Sequence, residues 1–420
     1  MKPSGIEWIG DIPDDWKVRR LKAISKLQTG NTPSTNNKNN YAETGFPWLK
    51  PDDLCGTIKE SQAKVFLSPA GKLETRILPA NSILLCCIGS IGKIGFVSTE
   101  CASNQQITAL IIKHGFWRYF LYVLRIAEEE LMSLSVGNVV FILNSERLGS
   151  LKIPFPPLKT QRKIADYLDE ECREIDATIA KQKESIEKLK AYKQSLISET
   201  VTKGLDKSAP LKPSGIEWIG DIPSHWEIRK LKYVAKLDPT ISEFLSDNDI
   251  VSFAPMECLG EQTLSPYETE YGKVKGKYTY FANEDIIMAK VTPCFENGNI
   301  AIARNLKNNV GFGSSELFVF RTKSVSNSFL MYALYSEPFK SLAKSTMYGT
   351  GGLKRVSPNF ILNYKIPLPP LKTQESIADY LDSKCSQIDK YMTEKQNIIQ
   401  KLDAYKKSLI FECVTGKRDL

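Results

Sequence analysis

The chain has 420 residues, 42% hydrophobic and 25% charged, which is ordinary globular composition with enough apolar material for two or three cores. Its 56 Lys and Arg against 48 Asp and Glu leave a net charge of +8, which leans toward a polyanionic partner without requiring one. No secretory leader opens the sequence and no stretch approaches 18 apolar residues, so the expectation is a cytoplasmic protein with no membrane partner.

The first twelve residues after Met1 are KPSGIEWIGDIP, and they return letter for letter at 212–223. Trp8 and Trp16 in the first copy match Trp218 and Trp226 in the second, and indoles recurring at the same place suit anchors of a shared frame better than stacking platforms for bases. Between the frame segments, residues 40–150 and 240–360 bear almost no resemblance to each other. Both inserts read as mixed α and β. Strands are expected at 82–88, 106–112, 285–289 and 316–320, where apolar, β-branched or aromatic runs are bounded by Gly, Asn or Pro. Short helices are expected at 117–130 and 329–339. The connecting loops at 31–40, 89–93, 103–106, 273–277, 292–299, 313–316 and 345–355 are rich in groups that donate and accept hydrogen bonds.

Each insert is followed by a second repeated block, IPFPPLKTQ at 153–161 and IPLPPLKTQ at 366–374, and then by IADYLD. The double proline forbids helix just before it, and Thr160 and Thr373 are the expected caps of the helix beyond it. Apolar residues then keep a four-three rhythm through Leu168, Cys172, Ile175, Ile179, Ile186, Leu189 and Leu196. The second copy answers with Leu381, Cys385, Ile388, Met392, Ile399, Leu402 and Leu409. Gln182 with Lys395, and Lys193 with Lys406, interrupt both seams at matching places, as residues that fix register do. A helix of about 40 residues at about 1.5 Å each is roughly 60 Å long, and so narrow a seam needs a partner. The twin helix is the expected partner, paired antiparallel, with coverage of its own domain as the alternative. Residues 204–215 read as the linker between halves.

The expected fold is therefore α+β: two mixed domains joined by two long antiparallel coiled-coil helices in a pseudo-twofold internal repeat. Its divisions are 1–156, 157–203, 204–369 (linker and second domain) and 370–420.

Chemistry finds little footing. The nine cysteines, Cys55, Cys86, Cys87, Cys101, Cys172, Cys258, Cys294, Cys385 and Cys413, make no C-x-x-C pair and read as buried reduced thiols, with no metal and no cofactor expected. The two histidines, His114 and His225, stand alone. Residues 89–93, GSIGK, lack the spacing of a phosphate loop and read as a glycine-rich turn. Asp15-Trp16-Lys17 has the form of a nuclease tail, but the repeat replaces it with His225-Trp226-Glu227.

The two inserts, the two Pro-Pro-Leu-led helices and the GIEWIGxIPxxW start to each half resemble the specificity subunit of type I restriction-modification systems, and the resemblance covers the whole chain. Residues 8–26 and 218–236 resemble the start of each target-recognition domain. Pro156-Pro157-Leu158 and Pro369-Pro370-Leu371 resemble the family's Leu-Pro-Pro-Leu-x-x-Gln opening of its central regions, with Phe155 in place of the leading Leu of the first copy and Lys-Thr-Gln where many members carry a Glu-Gln pair. The resemblance implies a DNA-binding protein of a bacterial or archaeal cytoplasm with no catalysis of its own. Each insert would read one half of an asymmetric split target in double-stranded DNA. The helices would set the spacing, roughly 10 bp, and dock two methyltransferase subunits, which restriction subunits then join.

Phosphates suit Lys93, Lys273, Lys275, Lys277, Lys354 and Arg355 in open loops; base edges suit Asn104, Gln105, Asn297, Asn299 and Arg304. Each of these residues can equally brace a turn or lie on a solvated surface. A competing class, a non-enzymatic two-module scaffold for protein or carbohydrate ligands, explains the repeat but makes no use of the positive charge or the Asn-, Gln- and Lys-rich loops.

Overall fold

The computed structural model describes residues 1–241, 245–350 and 352–420. Contacts divide the chain into two compact units, 1–183 with 395–420, and 184–394, so that each holds one insert and a stretch of each long helix. Four helices tie frame to insert: α1 (Trp117–Ile126), α2 (Leu158–Lys203), α3 (Asn327–Tyr335) and α4 (Leu371–Thr415).

The repeated segments close each insert at its base. Lys17–Arg20 pairs antiparallel with Lys152–Phe155, and Glu227–Lys230 with Lys365–Leu368. Pro154 and Pro367 are tolerated because a two-stranded ribbon leaves one edge of each strand with no ladder to donate to. Trp16 and Trp226 are buried, and each packs on the end of a long helix. Gly416, at φ +72°, lies where a Cβ would meet Trp16 at 3.1 Å, and Gly204, at φ +76°, where it would meet Trp226 at 2.9 Å. A residue with a side chain fails at both places on conformation and on space. The linker is shorter than expected, since Leu211–Pro213 already pairs with Asp221–Pro223 as part of the frame.

Both long helices begin two residues before the expected caps. Leu158 and Leu371 follow the second proline directly, and the carbonyls of Pro157 and Pro370 accept from the Gln161 and Gln374 N–H groups, so Thr160 and Thr373 lie inside the first turn. Proline suits a cap position because its missing N–H would have had no helical partner. The glutamines are buried and act as clips. Gln161 donates to the Pro156 carbonyl at 2.8 Å and accepts from the Phe116 N–H at 2.7 Å; Gln374 donates to Pro369 at 2.7 Å and accepts from the Ser326 N–H at 2.9 Å. Each thereby ties a long helix to the start of the insert's helix, α1 or α3. Two turns on, the last Asp of each IADYLD motif repeats the tie: Tyr122 and Arg118 donate to Asp169, and Tyr332 donates to Asp382.

The helices run antiparallel within each unit. In the first, Lys406 meets Asp176 at 2.7 Å and Lys395 meets Gln182 at 3.2 Å, the numbers rising on one helix as they fall on the other. In the second, Lys193 meets Asp389 at 2.9 Å, while Ile197 and Val201 share a core with Ile377, Leu381 and Cys385. Of the seam residues, Leu168, Cys172, Ile175, Ile179, Ile186, Leu381, Cys385, Ile388, Ile399 and Leu409 are buried, and Leu189, Leu196, Met392 and Leu402 are half-buried.

Beneath their unlike sequences the inserts share a plan. Each contains a four-stranded antiparallel sheet of the same order: Ser25–Thr29, Ile107–Ile112, Ile83–Cys86, Ile94–Phe96 in the first, and Ala235–Leu237, Leu317–Thr322, Ile286–Ala289, Ile300–Ile302 in the second. A second sheet shares three strands, Ala102–Ser103, Phe46–Leu49 and Val65–Leu67 corresponding to Val310–Gly313, Ile250–Ala254 and Tyr267–Glu270, with one parallel pair in each. The fourth strand is added at opposite edges: Tyr41–Ala42 beside Val65–Leu67 in one, and Thr279–Ala282 beside Val310–Gly313 in the other. Each expected insert helix divides in two. A second helix starts at Glu128, where three acidic residues favour an N-terminus, and another at Glu337, whose first turn accommodates Pro338.

Candidate nucleic-acid interface

In each unit three loops converge at one end of the four-stranded antiparallel sheet, and backbone hydrogen bonds fix how they meet. In the first, the Cys87 N–H donates to the Gln106 carbonyl at 2.7 Å, Gly89 to Phe141 at 3.0 Å, and Leu143 to Cys87 at 2.8 Å. In the second, Lys290 donates to Glu316 at 3.0 Å, Thr292 to Lys354 at 2.9 Å, and Val356 to Lys290 at 2.8 Å. The two sets match bond for bond. They join the turn after the third strand of the sheet, the turn before the second, and a hairpin at 136–142 or 348–355. The hairpins close alike, Val136 against Ile142 and Tyr348 against Arg355.

Side chains on these matching loops differ. Phe141 corresponds to Lys354, Ile142 to Arg355, and Cys87 to Lys290. Lys354 is exposed; Arg355 is clamped by Glu316 through two hydrogen bonds of 2.9 and 2.7 Å, which hold the Glu316 carboxyl below the ordinary glutamate range. Gly351 of this hairpin lies outside the described residues. Lys93 is half-buried in the first unit's turn, 3.6 Å from Asp52, and lines a cleft of about 380 Å³ with Arg125 and Glu128. Gln105 is exposed at the turn before the second strand and receives a hydrogen bond from the Thr32 hydroxyl, which brings the 31–40 loop to the same end.

The remaining candidates are placed differently. Asn104 is buried, its amide spent on Gln106 within its own turn, and Asn299 donates to the Leu259 carbonyl at 2.7 Å, so both brace the chain. Asn297 is exposed in the turn after Thr292. Lys277 is exposed and lies two residues before Thr279, which pairs with Gly313 at the loop-cluster end; Lys273 and Lys275 precede it, paired with Glu270 and Asp247. Arg304 stands beyond Ile302, whose partner is Ile286, and so occupies the opposite end of its sheet, 3.6 Å from Glu284.

Sequence patterning alone did not single out the 136–142 hairpin. The Gly137-Asn138 turn signal followed by the apolar run Val139 to Ile142 is legible, but only the structure places that run in solvent. Six cysteines are buried as expected. Burial pushes Cys101 and Cys413 up to about 12, and Cys87, Cys172 and Cys385 to about 11, so these thiols stay protonated at neutral pH. Three depart from the expectation: Cys55 is exposed, and Cys258 and Cys294 are half-buried. Among the described residues no cluster of His, Cys, Asp and Glu is placed to hold a metal, and no helix is long and apolar enough to cross a membrane.

Comparison with known proteins converges on one family. Residues 13–188 and 223–403 each match the family model of the type I restriction modification DNA specificity domain. The chain is 26% identical to the type I restriction enzyme MjaVIII specificity subunit of Methanocaldococcus jannaschii, across 97% of this chain and 93% of that one. It is 36% identical to the Escherichia coli EcoAI specificity subunit across 53% of this chain and 38% of that relative. Among solved structures, a chain from work on assembly and conformational transition of the type I R-M system superposes with a TM-score of 0.73 at 16% identity, covering 97% of this chain and all (100%) of that one. The HsdS subunit of Thermoanaerobacter tengcongensis superposes at 0.52 with 15% identity, covering 97% and 98%.

Proposed function

The chain belongs to the type I restriction modification DNA specificity family, and from that premise we propose that it is the DNA-reading, non-catalytic subunit of such a system. Residues 1–156 are its first target-recognition domain and 204–369 its linker and second target-recognition domain, and each domain reads one half of a bipartite, asymmetric target. The helices at 157–203 and 370–420 set the spacing between half-sites and dock two methyltransferase subunits, to which restriction subunits add; the complex works in the cytoplasm. The observation that carries this reading is the pair of loop clusters, built on matching backbone hydrogen bonds and differing in side chains. One scaffold presenting two chemically distinct faces suits a ligand whose two halves differ.

Among the candidates, Lys354 and Lys277 suit phosphate and Gln105 and Asn297 suit base edges, while Lys93, Lys273, Lys275 and Arg355 face carboxylates that offset their charge. A salt titration on random duplex tests the reading: affinity falls steeply with ionic strength, and Lys354→Ala reduces the logarithmic slope by about 1. Flat affinity from low to moderate salt overturns DNA binding. Mapping methylated adenines in a host carrying this gene and its partners returns a gapped asymmetric motif; a continuous palindrome contradicts the two-insert reading.

A further inference from the structure

The hairpin at 136–142 presents four consecutive exposed apolar side chains. Val139 is 94% exposed, Val140 51%, Ile142 44% and Phe141 39%. A contiguous apolar tip held in water marks an interaction site more often than chance. The tip is held firmly: Val136 and Ile142 exchange backbone hydrogen bonds of 2.9 and 2.8 Å, Ile142 bridges to Ile88, and the Phe141 carbonyl accepts from Gly89. We infer that the 136–142 hairpin is an apolar wedge that inserts into double-stranded DNA at the first half-site and unstacks a base step there.

The inference rests on the DNA-reading function proposed above, and three observations select duplex DNA as the occupant. The matching hairpin of the second insert, closed by the same bonds, carries Lys354 where the first carries Phe141 and Arg355 where it carries Ile142. The second tip thus sets the exposed cation Lys354 beside an exposed Leu353, where residues 139–142 of the first are all apolar; a ligand that meets both has an anionic exterior and an apolar stacked interior, and duplex DNA has both. The flank of the first tip supplies a matching charge in Arg147, exposed below the hairpin and donating to the Leu134 carbonyl, whereas Lys93 and Arg125 on the adjoining cleft are paired with Asp52 and Glu128. Finally, the tips differ between inserts while the frame repeats, which fits two unlike half-sites and not two copies of one protein partner.

The test uses the full chain in complex with its methyltransferase, and duplexes of the mapped target carrying 2-aminopurine at successive steps of the first half-site, away from the methylated adenine. Parent complex raises the fluorescence at one step. Val139→Ser with Val140→Ser abolishes that rise and lowers target affinity about tenfold, while the salt slope on random duplex stays that of the parent because no phosphate contact is lost. Val139→Lys also abolishes the rise, although it adds a positive charge. Both variants alter side chains already in solvent, and an unchanged thermal midpoint confirms the fold. Fluorescence and target affinity within twofold of the parent in both variants overturn the wedge. Loss of methyltransferase association with DNA affinity intact also overturns it, by making the tip a protein dock. A parent complex with no salt-dependent DNA binding fails the underlying reading instead.

Discussion

At the scale of single residues, the informative side chains are those that the repeat keeps and the fold buries. Gln161 and Gln374 each satisfy one N–H of the insert and one carbonyl of the proline turn, and both are buried. Leaving buried backbone groups unpaired costs about 1–3 kcal/mol. Gln161→Ala and Gln374→Ala are therefore each expected to destabilise by about 2 kcal/mol, checked by urea unfolding. The two losses act in different units and should add to within a few tenths of a kcal/mol, or about 0.5 at most. Strong non-additivity would mean that the clips belong to one cooperative network. The glutamines stand in the repeated motif, yet their role was illegible there. Their partners, Phe116 and Ser326, lie 45 and 48 residues upstream.

At the scale of elements, the long helices carry polar residues in their seams, and the structure supplies the reason they are tolerated. Lys193 is buried but bonded to Asp389 at 2.9 and 3.0 Å, with Glu261 of the second insert at 3.4 Å. Burial alone would lower its pKa; the hydrogen bond and charge of Asp389, with Glu261, outweigh that and raise it. A raised lysine pKa contributes stability that is fully present below the unfolded-state value and is lost as pH rises through the folded-state value. The stability difference between the parent and Lys193→Met is thus expected to stay constant from neutral pH to about 10 and to change only above it. Removing one partner differs from replacing the ammonium. Asp389→Ala leaves Lys193 short of its main counter-charge and is expected to cost about 2 kcal/mol, less than a fully buried pair would because Asp389 is 46% exposed. Lys193→Met should be close to neutral. Equal losses in the two variants, followed by denaturant unfolding, would contradict this account. The seam rhythm was readable from spacing; that Lys193 and Lys406 each find an aspartate, Asp389 and Asp176, required the antiparallel pairing itself.

At the scale of the whole molecule, the proposed division of labour has a direct consequence. If recognition resides in the inserts and spacing in the helices, exchanging residues 21–151 for the corresponding insert of another family member should change one half of the methylated motif. The other half and the gap length should stay as they are. Methylation mapping of the chimaera reads this out. A change in both halves would place specificity in the frame.

The sequence by itself determined the frame. Letter-for-letter repetition, the double prolines and a four-three apolar rhythm are local signals, and local signals survive without knowledge of what packs where. It also determined that Thr160 and Thr373 stand near a helix start, missing by two residues because the helix starts directly after the second proline, whose absent N–H costs the first turn nothing. Only the tertiary structure decided which loops share a surface. The hydrogen bonds that gather Gly89, Gln106 and Phe141, or Thr292, Glu316 and Lys354, join segments far apart in the chain. Composition could nominate Asn104, Asn299 and Arg304 as readily as Gln105 and Lys354. The difference lies in whether a polar group is spent on the chain's own backbone, as in Asn299, or stands at the far end of its sheet, as Arg304 does, and that is settled by packing and pairing between segments with no common sequence signal.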